Sequence, residues 1–512
     1  MGPNFYSENL PIHNEFFFSL TQCPAINGDC FECDIRQFNI SRYRQMKSNA
    51  NVTFLSFRGS VMSSIRQRQL RFGAILAGVG TDFSQWRNPE LPSNASIDID
   101  WYIHNARLAE EAKFDLVFIV DSPFITRDTA PHFLNRLEPL TLLSALAVST
   151  SRIGLVGTLT TTYWEPYNVA RLFGSLDHIS KGRAGWNVVT TGLEGASRNY
   201  GQDKHLDHAL RYRRAEEFVD VVKGLWDSYE DNAFPYDKEN DVFLDKSKQH
   251  ALNHKGEFLS VAGPLALSRS SQGHPVIFQA GDSNAGRQLG AQIADGTFAA
   301  VEDFDSALEY YKDLKGRAKA LGRDPDSIHV LPGIAPIIAE TDEKAREIAI
   351  EREGLLDIEK KLVALGRAFN YHDFRQYPLD EPFPDVSNLT LNSYKGHAER
   401  ILRGVAADNL TLRQAAERYG GWRLNFVGSP ETVANEIERW FVGGAADGFN
   451  VRVTNPGDFK AFREHVIPIL QKRGLFRTEY EGATLRDHLG LSIPENRWTA
   501  EKREGLSRAD AA

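Results

Sequence analysis

From Leu70 onward the chain repeats one motif eight times: a short apolar run, then a stretch with helical period. The runs lie at 70–76, 116–120, 153–157, 184–189, 276–280, 297–301, 329–338 and 448–453. They read as nearly continuous hydrophobic residues, not as alternating ones, which is what strands buried on both faces require. The amphipathic stretches between them are 101–112, 139–148, 166–180, 211–228, 285–293, 305–321, 343–365 and 431–440. A strand followed by a crossover helix pairs parallel with the next strand. Eight such units predict an α/β fold, a (β/α)8 TIM barrel with insertions in its βα loops. A doubly wound open sheet satisfies the same pattern, because periodicity does not encode closure.

Two stretches interrupt the alternation. Residues 192–275 hold a long loop, a helix and a hairpin, and residues 367–424 are irregular and then helical. Long insertions in barrel loops are expected to shape and cover a pocket. The expected organisation is an N-terminal extension over 1–61, flexible and accessory, a barrel domain over 62–490, and a polar tail over 491–512. The polar chain after Phe476 is expected to wrap the surface or a partner subunit.

Charge and cysteine content restrict the setting. A net charge of −9 argues against nucleic acid as a partner, which needs a basic face. No apolar run reaches the roughly 20 residues of a membrane helix, and residues 1–25 lack a secretory pattern. The three cysteines, Cys23, Cys30 and Cys33, all precede the repeating part, so a disulfide scaffold is excluded there and a cytoplasmic location is expected. Cys30 and Cys33 form half of a zinc knuckle with no second half, and no metal is expected.

Barrel chemistry sits where strands end. The runs deliver Asp121, Thr158 with Thr160, Thr161 and Thr162, Asn187, the glycine-bracketed turn 281–286 and Glu302 to that position. Each could cap a helix or end a strand, but together they outline one polar ligand site. The turn 281–286 puts Ser283 or Asn284 at a helix N-cap, where free N–H groups suit a phosphate. It matches neither a P-loop nor a GxGxxG fingerprint. His208 and Tyr212 share a helix face. His205 and His208 could ligate a metal, but an organic anion suits them better. Trp86, Phe118 and Trp164 are candidates for an apolar wall.

Seven segments carry a family resemblance: KFDLVFIVD at 113–121, YNVARLF at 167–173, GWNVVTT at 185–191, HALRYRRAEEF at 208–218, PVIFQAG at 275–281, GGAADGF at 443–449 and RTEYEGATLRDHLG at 477–490. In order, they resemble the bacterial-luciferase-like flavin-dependent monooxygenases, in the branch of the nitrilotriacetate monooxygenase large component and dibenzothiophene-sulfone monooxygenase. The resemblance implies a barrel that binds diffusible reduced FMN supplied by a separate NAD(P)H:FMN reductase. It implies oxygenation of a small organic molecule by O2 through a flavin C4a-(hydro)peroxide. The residues it matches to FMN contacts are Asp121, Thr158, His208, Tyr212 and Ser283, with Asn187 as a further candidate. A homo-oligomer is expected, and no general acid or base is assigned. The 80–87 segment lacks the histidine this superfamily often places before a Trp-Arg pair, and the phosphate turn follows the fifth strand instead of the seventh or eighth. Other readings are a deazaflavin-dependent oxidoreductase, a non-catalytic flavin-binding protein, and a glycoside hydrolase using Asp121 and Glu302.

Overall fold

The computed structural model describes residues 68–301, 303–390, 394–421 and 426–510. The chain divides into the units Met1–Ser64 and Ile65–Ala512, and every described element belongs to the second. The extension expected over 1–61 and the carboxylate Glu302 lie outside the described residues.

Eight strands form the sheet: β1 (Arg71–Ile75), β2 (Leu116–Ile119), β3 (Gly154–Thr160), β4 (Ala184–Val189), β5 (Val276–Gln279), β6 (Gly296–Ala299), β7 (His329–Ile334) and β8 (Gly448–Arg452). Each pairs parallel with its sequence neighbours, and β8 pairs with β1, so the sheet closes into a barrel. Closure decides for the barrel over the open sheet.

Between the strands run α1 (Ile99–Glu111), α2 (Pro139–Ser149), α3 (Pro166–Ser180), α4 (His208–Trp226), α5 (Asn284–Ile293) and α6 (Phe304–Ala320). Alternate strand residues divide between two cores. Outward side chains such as Phe72, Trp186 and Ile277 pack against the helices. Inward ones, among them Phe118, Val156, Phe278 and Leu331, fill the barrel. The Phe118 ring meets Phe278 edge-on at 6.0 Å and Phe298 at 5.6 Å, which makes an aromatic layer across the interior. Burying each such ring contributes about 1.5–3 kcal/mol.

The sequence reading needs three corrections. The run 329–338 is not one strand: β7 stops at Ile334, and Ile337–Ile338 pair with Val427–Gly428 outside the barrel. The stretch 343–365 is two helices, α7 (Asp342–Gly354) and α8 (Ile358–Gly366), because the Asp357 side chain accepts from the Lys360 N–H and opens a new N-cap. The chain after Phe476 does not merely wrap the surface. Leu485 and Leu489 of the short helix Leu485–Leu489 enter the inner core and plug the barrel's N-terminal end. Gly154 makes room for them, since a Cβ there would lie 2.4 Å from Leu485 Cδ1.

The insertion between β7 and β8 continues with α9 (Lys395–Asp408), α10 (Leu412–Tyr419) and α11 (Pro430–Val442). Leu362, Phe369, Phe374, Ile401 and Leu412 give it a small core of its own. Among the described residues no helix is long and apolar enough to cross a membrane.

Candidate active site

A cavity of about 590 Å³ opens at the C-terminal mouth of the barrel. Asp121, Thr158, Asn187, His208, Tyr212 and Ser283 all line it, with Phe118 in its floor. The β3–β4 register places Thr158 beside Asn187 on the inward face. Thr158 Oγ1 donates to the Ile119 carbonyl (2.8 Å), so it must accept from Asn187 Nδ2 (2.9 Å). That chain fixes the orientation of the amide. Asn187 Oδ1 is then left buried with no donor among the described residues. An unmatched buried acceptor costs about 1–3 kcal/mol, so a ligand N–H or O–H here would relieve a standing penalty. Thr158 has its proton committed and serves to aim Asn187.

The turn after β5 is built by two glycines in contact. A Cβ on Gly286 would sit 2.7 Å from the Gly281 carbonyl carbon, and one on Gly281 would sit 2.9 Å from Tyr212 Oη. Only side-chain-free positions let the turn press against α5, with Gly281, Asp282 and Ser283 lining the cavity. Ser283 is the N-cap of α5, and its Oγ accepts from the Gly286 N–H at 3.1 Å. A hydroxyl that accepts there still has a proton to donate outward. Gly396 of α9 closes the other side, where a Cβ would lie 2.7 Å from Ser283 N. Arg400 holds Asp282 at 2.7 Å, which neutralises the one carboxylate within the turn.

His208 begins α4, and its ring lies 4.8 Å from that of Tyr212. Burial, with Arg211 and Lys395 nearby, lowers the His208 pKa to about 4, so the imidazole is neutral near pH 7. His205 is not its partner for a metal. His205 Nε2 donates to the Thr191 carbonyl (3.0 Å) and Nδ1 accepts from the Tyr163 hydroxyl. No group of three His, Cys, Asp or Glu side chains gathers for an ion among the described residues. Thr191 has φ of +48°, a left-handed conformation that costs a β-branched residue energy, at the rim of the cavity.

Asp121 is paired through one oxygen: Arg136 donates to its Oδ1 from Nε (2.9 Å) and Nη2 (2.6 Å). Glu302, the other carboxylate of the glycosidase reading, lies outside the described residues. Thr160 and Thr162 tie β3 to the loop after β4 through Thr191 and Thr190. Trp86 is half exposed, and neither it nor Trp164 lines the cavity. Sequence reading missed Arg211, Arg367, Tyr394 and Lys395, which also line it. Arg211 stands within a segment that was read. The other three sit in the irregular insertion, where no periodic signal pointed inward.

Residues 82–447 match the luciferase-like monooxygenase family. N-acetyl-S-(2-succino)cysteine monooxygenase of Bacillus subtilis (strain 168) is 46 % identical over 85 % of this chain and 99 % of its own. Nitrilotriacetate monooxygenase component A of Aminobacter aminovorans is 40 % identical over 84 % of this chain and 98 % of its own. A crystal structure of riboflavin lyase with modified FMN and riboflavin superposes with a TM-score of 0.75 at 31 % identity, covering 84 % of this chain and 97 % of that one. The chain therefore belongs to the luciferase-like monooxygenase family of flavin-dependent enzymes.

Proposed function

We propose that this protein is the oxygenase component of a two-component system, using reduced FMN and O2 to oxygenate a small organic substrate. One observation carries the FMN assignment. The Ser283-capped helix N-terminus and the unmatched Asn187 amide oxygen face a single cavity of about 590 Å³. That pairing of an anion cradle with a buried acceptor suits a flavin mononucleotide, which offers a phosphate to the one and N–H or O–H donors to the other. Reduced flavin, when bound, supplies the O2 activation that spin restriction denies to most organic molecules.

The chain's own residues do the rest. Ser283 and the first N–H groups of α5 would hold the phosphate. Asn187, aimed by Thr158, would accept from the flavin, and neutral His208 with Tyr212 would flank it. Asp121, neutralised by Arg136, would border the site as a fixed wall. The insertion from α8 to α10 would exclude water from the oxygen chemistry. Delivery of flavin by a separate NAD(P)H:FMN reductase is supported by the name of the Aminobacter relative, a component A. A cytoplasmic homo-oligomer completes the proposal.

The test is a fluorescence titration with FMN under anaerobic reducing and aerobic conditions, followed by oxygen uptake with a reductase, NAD(P)H and free FMN. Tighter binding of the reduced form and reductase-dependent uptake are expected. Tightly bound, co-purifying FAD would overturn the reading.

A further inference from the structure

Among the described residues four carboxylates line the cavity, and each is already engaged. Asp121 is paired with Arg136 (2.6 Å) and Asp282 with Arg400 (2.7 Å). Asp128 is paired with Arg375 (3.1 Å). Asp82 accepts from the Ser84 N–H (2.6 Å) and hydroxyl (2.9 Å) and the Gln85 N–H (2.9 Å). Arg367, in the one-turn helix Arg367–Phe369 after α8, also lines the cavity and has no carboxylate partner among the described residues. The groups around its guanidinium are aromatic. Its Cζ lies 4.6 Å from the centre of the Phe133 ring and 5.8 Å from that of Tyr394.

The contrast with Arg136 is informative. Phe133 takes Arg136 on its ring at 5.0 Å as well, but Arg136 also has Asp121. One ring therefore steadies two guanidinium groups, one neutralised and one not. Cation–π contact fixes the plane of Arg367 without using up its N–H fork. A planar fork held in place, with no counter-charge among the described residues of the wall, matches a bidentate carboxylate. Arg367 also joins three loops. Phe133 belongs to the β2–α2 connection, and Tyr394 packs on Gly192 after β4, where a Cβ would come within 2.8 Å of the ring. The cation is thus held by the barrel as well as by the insertion that carries it.

We propose that Arg367 anchors the substrate, and that the substrate carries a carboxylate. The inference rests on the flavin-dependent reading of the same cavity. The flavin phosphate is the alternative source of an anion, and the experiment separates the two. Benzoate, phenylacetate and succinate, each beside its amide, are titrated calorimetrically into the FMN-loaded wild type, Arg367→Gln and Arg367→Lys. FMN and riboflavin are titrated separately into all three proteins.

At least one carboxylate should bind the wild type about tenfold or more tightly than its amide. Arg367→Gln should abolish that preference, and Arg367→Lys should restore part of it, with the FMN-to-riboflavin affinity ratio unchanged in both. Retained FMN binding shows that each variant is folded. If no carboxylate binds the wild type more tightly than its amide, the proposal fails while the flavin reading stands. If Arg367→Gln weakens FMN but not riboflavin, Arg367 is a phosphate clamp and the proposal also fails. A wild type that binds no FMN at all would instead overturn the function proposed above.

Discussion

The two ends of the barrel differ in where their buried charges find partners. At the N-terminal end, three buried carboxylates beneath the strands have cations, while a fourth, Asp177, accepts instead from the Ala184 N–H (2.9 Å) and the Gln272 amide (2.7 Å). Asp115 is held by Arg477, with Arg71 at 3.8 Å, Asp295 by Arg486 at 3.1 Å, and Asp447 by Arg68 at 2.7 Å and Lys315 at 3.1 Å. Arg477 and Arg486 come from the C-terminal segment, whose leucines plug the same end. At the C-terminal end, among the described residues, the Asn187 amide oxygen lacks a donor and Arg367 lies against aromatic rings, not a carboxylate. A group matched inside the protein contributes to the fold, whereas a group left unmatched beside a cavity is available to a ligand. The base should therefore respond to mutation through stability, and the mouth through binding.

The largest effect expected from breaking that division is at Asp115. Its side chain is fully buried and accepts from the Phe72 N–H at 2.6 Å. Asp115→Ala leaves Arg477 without its counter-charge, which should cost about 3–5 kcal/mol. Denaturant unfolding monitored by circular dichroism measures it. The folded fraction should still bind FMN with wild-type affinity, and a parallel loss of both would erase the distinction between the two ends.

Acid probes the same end. Burial, with Arg477 close by, lowers the His488 pKa to about 4, and burial does the same to His329, whose Nε2 donates to the Leu489 carbonyl at 2.7 Å. Between pH 6.5 and 4 the unfolded chain binds protons that the folded one refuses, so stability falls as pH falls through that window. His205 and His208 at the mouth are shifted the same way. His488→Leu isolates the contribution from the base, and its unfolding free energy should fall less steeply with acid than that of the wild type.

At the mouth, the largest binding effect should belong to Ser283. Ser283→Ala removes a donor to the proposed phosphate and should weaken FMN binding by about 1.5–3 kcal/mol. Losing the cap of α5 should cost about 1 kcal/mol of stability. Riboflavin affinity should hardly change. Equal losses for FMN and riboflavin would reduce Ser283 to its capping bond with Gly286. His208→Ala and Tyr212→Phe should each lower the yield of product per O2 consumed. The double variant should lose less than the sum, because the two rings are in contact. Strict additivity would place them in separate roles.

The legibility of the sequence follows the same division. Strands buried on both faces must be apolar along their length, so all eight barrel strands could be read from 70–453. Residues leaving a strand must emerge at one end of a barrel, so Asn187 and Ser283 were readable as neighbours although 96 positions separate them in the numbering. Contacts made by irregular chain carry no period. Arg367 meets Phe133 across the cavity because the insertion folds back, and no local pattern encodes that. The plug was missed for a related reason: Leu485 and Leu489 are two apolar residues in a polar helix of five, too little to register as a core element. The pairing of Asp121 with Arg136 was equally hidden, since either residue alone reads as ordinary surface charge.

The smallest stability effect, and the sharpest test of the division, is expected at Asn187. Asn187→Ala deletes the bond from Nδ2 to Thr158, which contributes about 0.5–1.5 kcal/mol. It also deletes Oδ1, whose burial without a donor carries a penalty of about 1–3 kcal/mol in the ligand-free protein. The two nearly cancel, and the space left by the side chain adds to a cavity that already exists. Unfolding free energy without flavin should therefore stay within about 1 kcal/mol of the wild type, although the residue is 3 % exposed and inside the barrel. Reduced FMN should bind the variant about tenfold more weakly, since the flavin then loses an acceptor it would have matched. Differential scanning calorimetry with and without FMN reads both quantities from one sample: the apo transition should coincide with wild type, and the FMN-induced upward shift should shrink. An apo destabilisation near that of Asp115→Ala would mean that Asn187 serves the fold, and that the unmatched oxygen is no mark of a ligand site.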